Sequence, residues 1–165
     1  AKGNVQQMPG SAMQDPNNLL IGMLDGSFSE RGDVAGVASM HRSRGAALVD
    51  LNADGLLDLA VVNRRAPLEV WQNVTPSAGR WLSVALHQRS ANTQAVGAWI
   101  EVDDGRAIQS REITVGGGHV SGVSGPQHFG LGTAETVRLR VHWPHADWSD
   151  WQTVTANQVL HITRP

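Results

Sequence analysis

Between two short apolar runs the chain reads Asp50-Leu51-Asn52-Ala53-Asp54-Gly55-Leu56-Leu57-Asp58. Three carboxylates and one amide stand at positions one, three, five and nine of this segment, with glycine at six. The flanking runs, Ala46–Val49 and Leu56–Val62, are short and rich in aliphatic and β-branched residues, so they read as strands. The pattern predicts strand–loop–strand. Glycine permits the sharp turn that brings Asp58 back toward Asp50.

Such spacing suits a hard cation. Calcium takes six to eight oxygen ligands, mixing carboxylates, amide and backbone carbonyls, and water. The expected ligands are the side chains of Asp50, Asn52, Asp54 and Asp58 and the backbone carbonyl of Leu56. Three negative charges against a dication imply modest affinity, with Kd on the order of 10⁻⁴–10⁻³ M as in extracellular modules. The alternative is a metal-free turn in which Asp and Asn side chains cap their own backbone. That turn leaves three carboxylates together without a counter-ion, which is unfavourable. An EF-hand is excluded, because it needs a bidentate Glu at position twelve and flanking helices. Position twelve here is Val61, between strand-like flanks.

The rest of the chain favours an all-β fold. It has 165 residues, abundant glycine, short apolar runs and no amphipathic stretch long enough to predict a helix. A net charge of −2 provides no basic field for nucleic acid or anionic membrane. Without cysteine there is neither a disulfide framework nor a thiolate metal site. No apolar stretch reaches membrane-spanning length. No signal-peptide pattern opens the sequence, so a mature chain or an internal fragment is expected.

Residues 1–18 are polar and read as a leader or arm. A first unit, 19–75, is expected to hold strands at Leu19–Leu24, on both sides of the Asp50–Asp58 loop and at Leu68–Gln72. Asp25-Gly26-Ser27 is expected to turn, and Phe28–Val37 to be a loop. Pro, Ser and Gly cluster at Thr75–Gly79, marking a boundary. A second unit, 80–165, is expected to place strands near Trp81–His87, Gly97–Val102, Arg106–Val115, Gln127–Phe129, Thr136–Trp143, Trp151–Thr155 and Val159–Thr163. A hairpin turn is expected at Asp103-Asp104-Gly105. Val137–Trp143 alternates apolar and polar, the mark of a strand with one buried face.

Asn18-Leu19-Leu20, Asp25–Phe28, Ala35-Gly36-Val37, the Asp50–Asp58 loop and Val70–Asn73 together resemble an FG-GAP or VCBS repeat, the blade unit of integrin-like β-propellers. Arg80-Trp81-Leu82, Gly97-Ala98, Gly118–Ser121, His128–Gly132, Val141–Pro144 and Asn157–Leu160 resemble the ASPIC/UnbV domain of secreted cartilage-acidic-protein-like chains. The family usually follows Trp-Pro with a small residue and Gly, whereas His145 and Ala146 stand here. The resemblance implies one propeller-type blade with a calcium loop, followed by a small antiparallel β domain. Propellers need about four to eight blades, and a lone repeat must stack on neighbours. The chain is therefore expected to be the C-terminal piece, or a subunit, of a larger extracellular or periplasmic propeller assembly, or else its blade packs on its own second domain. Its partners would be other blades or a partner subunit, in a non-enzymatic calcium-binding role in adhesion or assembly.

Other patterns weigh less. Arg31-Gly32-Asp33 spells an integrin-recognition tripeptide but reads as a solvated turn. Trp143, Trp148 and Trp151 raise a second reading, a carbohydrate-binding or polymer-processing protein using Trp148 or the Gly116–Gly125 stretch, with a glycan as ligand. His119, His128, His142 and His145 show no compact ligand spacing. Ser121 and Ser124 lack the Gly-x-Ser-x-Gly nucleophile elbow. Gly116-Gly117-Gly118 forms no nucleotide loop, and Asn73-Val74-Thr75 is a glycosylation sequon.

Overall fold

A computed structural model of the protein describes residues 15–23, 25–117, 122 and 124–164. These residues hold twelve strands and no helix. β1 (Leu20–Gly22) and β2 (Phe28–Glu30) form a hairpin of their own. Its turn is pinned by Asp25, whose Oδ1 accepts the backbone N–H and the hydroxyl of Ser27 at 2.9 and 2.6 Å. That turn folds Phe28 back against Gly22, so the expected loop from Phe28 begins instead as a strand.

β3 (Ser43–Val49), β4 (Asp58–Asn63) and β5 (Glu69–Trp71) form an antiparallel three-stranded sheet, separate from the β1–β2 hairpin. The strand expected from Leu56 starts two residues later. The Leu56 N–H is held by Asp54 Oδ1 at 2.8 Å, which keeps Leu56 in the loop. The pairings Ala46–Val61–Glu69 and Leu48–Leu59–Trp71 share one face, while Gly45–Val62, Ala47–Ala60–Val70 and Val49–Asp58 share the other. Both faces are thus mostly apolar. Both are also partly open: Leu48 is 55% exposed on one, Val62 57% and Val70 53% on the other. The buried hydrophobic residues of this part are only Val37 and Val61 among those described.

The second part is built from β6 (Arg80–His87), β7 (Trp99–Asp103), β8 (Ile108–Glu112), β9 (Gln127–Gly132), β10 (Thr136–His142), β11 (Gln152–Thr155) and β12 (Gln158–Thr163). One sheet has the order β11-β10-β7-β8, the other β12-β6-β9. Their apolar side chains form the main core, with Leu82, Val84, Ile100, Val102 and Phe129 fully buried.

One pairing corrects the expectation of a wholly antiparallel domain: β12 runs parallel to β6, from Gln158 opposite Leu82 to Thr163 opposite His87. The corner Ala156-Asn157 carries the chain from one sheet to the other. Asn157 grips Trp81 there, donating its N–H to the Trp81 carbonyl at 2.6 Å and accepting the Trp81 N–H at 3.2 Å. That clamp starts β12 beside β6 and in the same direction.

Candidate functional site

The Asp50–Asp58 loop is organised by its own carboxylates. Asp50 accepts the N–H of Asp54 at 3.2 Å and of Gly55 at 2.9 Å, through separate oxygens. Asn52 Oδ1 also accepts the Asp54 N–H at 3.2 Å, and its amide donates to Asp54 at 2.7 Å. The Leu56 N–H, then the Asn52 amide, hold the Asp54 carboxyl below the usual carboxylate range, and the Gln72 side chain adds a further hydrogen bond. Asp58 is buried and accepts the N–H groups of Leu51 at 3.0 Å and Asn73 at 2.8 Å. Ala53 and Gly55 take positive φ, 60° and 88°, which gives the loop its tight reversal.

The donor set is all oxygen, and none of its three carboxylates pairs with Lys or Arg among the described residues. By chemistry the loop suits a hard cation. Its hydrogen bonds also match the self-capping turn. Among the described residues, no three Asp, Glu, His or Cys side chains are gathered as a ligand group. The five expected residues therefore share one loop, with Asp50, Asn52 and Asp54 joined by hydrogen bonds and Asp58 anchored one layer deeper.

Three neighbours escape a local reading of the sequence. Gln72 and Asn73 lie just past β5 and close over the loop; the Asn73 amide also donates to the Leu57 carbonyl at 3.3 Å. Trp81, on β6, underlies Gly55: a methyl group added there would collide with Nε1, Cε2 and Cδ1 of the indole. Trp81 in turn stacks on His128 with ring centroids 6.0 Å apart and planes at 13°. Burial lowers the His128 pKa below the ordinary histidine value, and Arg111 adds to this while Asp50 opposes it. Only the Gly at position six hinted at a close approach.

The lesser candidates fall elsewhere. Arg140 lies 4.4 Å from the Trp148 ring centre and 4.5 Å from that of Trp151, and Arg138 lies 5.2 Å from Trp151. Glu101 and Asp103 neutralise these arginines. With His142 also against it, Trp148 joins a ladder on β10 and its neighbours while remaining 38% exposed. Gly32 of the Arg-Gly-Asp tripeptide is buried at the start of a turn. His145 takes a φ of 59° in the turn closed by the Ala146 N–H to the Trp143 carbonyl at 3.1 Å. Ser124 and His161 line one cleft of about 380 Å³, and no hydrogen bond joins them. His119 and Ser121 lie outside the described residues. The Asn73 amide of the sequon is engaged with Leu57.

The comparison with family models supports the second resemblance over part of its length. Residues 88–165 match the ASPIC and UnbV family. The ASPIC/UnbV match begins one residue after β6, yet β6 is the central strand of its sheet, so the folded unit starts before the matched stretch. The chain matches none of the curated proteins compared with it.

Proposed function

We propose that the chain is a calcium-fastened β module of an extracellular or periplasmic assembly, non-enzymatic, and joined to further β-sheet layers. The observation that carries this is the β3–β4–β5 sheet, mostly apolar on both faces and partly open on both. A sheet that faces water on one side alternates apolar and polar. One that is apolar on both sides belongs between two layers, as a propeller blade does. The FG-GAP/VCBS likeness of 19–75 names those layers as neighbouring blades or a partner subunit.

When bound, calcium would supply charge neutralisation, held by Asp50, Asn52, Asp54, Asp58 and the Leu56 carbonyl. The protein's own part is structural. Asp58, anchored by Leu51 and Asn73, ties the loop to β4 and β5, and the loop fixes the register of β3 against β4. At an external calcium concentration of about a millimolar such a site is about half to nine-tenths filled, whereas cytosolic levels leave it empty.

Isothermal calorimetry and thermal melting test the calcium reading. Binding in the 10⁻⁴–10⁻³ M range, on the order expected for extracellular modules, with a melting temperature raised by calcium and lowered by chelator, supports it. Absence of binding at about ten times those concentrations overturns it.

A further inference from the structure

We infer that Trp81 is a positioning residue for the Asp50–Asp58 loop, seating Gly55 so that cation binding in the loop and docking of the loop on the C-terminal β unit form one linked equilibrium. The inference rests on the calcium reading above. Gly55 is the joint. Its N–H is bound to Asp50 at 2.9 Å, and its α-carbon lies so close to the Trp81 indole that no side chain fits between them. Asp50, an expected ligand, is thereby oriented by a peptide group whose position the indole sets.

The seat itself is braced from several sides. The indole stacks on His128, and His128 Nδ1 lies 3.2 Å from the Ser83 hydroxyl on β6. Asn157 clamps the Trp81 backbone from both its N–H and its carbonyl. The next residue, Leu82, is fully buried in the core. A run of contacts thus leads from the ligand loop to the centre of the second unit. Anything that holds Gly55 in place favours the ligand geometry, and reciprocally a filled loop presses Gly55 onto the indole. Coupling of this kind is typically worth several-fold to a hundredfold in affinity.

The test uses the full chain with Trp81→Ala and Trp81→Phe, neither of which removes a calcium donor. Calorimetry should show calcium affinity weakened about tenfold in Trp81→Ala, with Trp81→Phe recovering part of it. A merely structural role would lower the melting temperature and leave affinity unchanged. Equal affinity in wild type and Trp81→Phe, and in Trp81→Ala where it folds, overturns the inference while leaving the calcium reading intact. No binding in the wild type overturns that reading and the linkage together. Amide hydrogen exchange in chelator separately reads the seat: faster exchange at Asp54 and Gly55 in the variants supports it, and unchanged exchange overturns it.

Discussion

The backbone N–H of Asn73 donates to the buried carboxylate of Asp58 at 2.8 Å, joining the segment just past β5 to the end of the loop. Asp58 thereby serves two segments, since its other oxygen accepts the Leu51 N–H. Asp54 has no such buried anchoring role, because its bonds stay within the exposed loop and to Gln72.

The two carboxylates should therefore separate by experiment. Asp58→Ala strands two N–H groups and should cost about 2–4 kcal/mol already in chelator, with ligand stabilisation lost on top of that in calcium. Asp54→Ala should cost within about 1 kcal/mol in chelator. At calcium about a hundredfold above Kd it should also forfeit about 2.7 kcal/mol of ligand stabilisation. Urea unfolding in chelator and in calcium reads both numbers.

Gly55→Ala meets two obstacles at once, a φ of 88° and the indole of Trp81. A loss of about 3 kcal/mol or more is expected. In Trp81→Ala the collision is relieved and only the backbone strain remains, so the double variant should show a smaller penalty for Gly55→Ala. A double-mutant cycle by urea unfolding measures the difference.

Core and open faces should respond oppositely. Phe129→Ala should destabilise by about 3–5 kcal/mol. Val62→Asp and Val70→Asp should change the stability of the isolated chain by no more than about 0.5 kcal/mol, because these side chains face solvent there. The same substitutions should abolish association with neighbouring β material, measured by sedimentation velocity.

Acid should loosen the Trp81–His128 stack. The unfolded imidazole takes a proton near pH 6.5, whereas burial makes the folded one wait for lower pH. Between those two values the unfolded chain binds more protons, so stability rises with pH. The contribution is complete above about pH 6.5 and is lost as pH falls through the window below it. Melting temperatures from pH 7.5 downward should fall more steeply for the wild type than for His128→Gln.

Local patterns made most strands readable. Val137–Trp143 alternates and all but its last residue lies in β10, and Asp103-Asp104-Gly105 turns β7 into β8 as expected. The Asp50–Asp58 loop was legible because five positions within nine residues carry it. Phe28–Glu30 shows no local period, because three residues are too few, and only the Asp25–Ser27 contact returns them to β1. Trp81, Asn73 and Gln72 act on the loop through contacts that span many residues, which no local window contains. The parallel partnership of β12 with β6 was hidden for the same reason: it depends on a corner at Asn157 that meets Trp81 across the fold.

That corner has a consequence for biosynthesis. Trp81 and Asn157 lie 76 positions apart, and β6 lacks its parallel partner until β12 has been made. Loop closure over such a distance is entropically slow. While the ribosome is still translating the intervening segment, one edge of β6 stays unsatisfied, exposing an apolar strand for chaperones to guard. The β12–β6–β9 sheet can therefore close only after β12 has emerged.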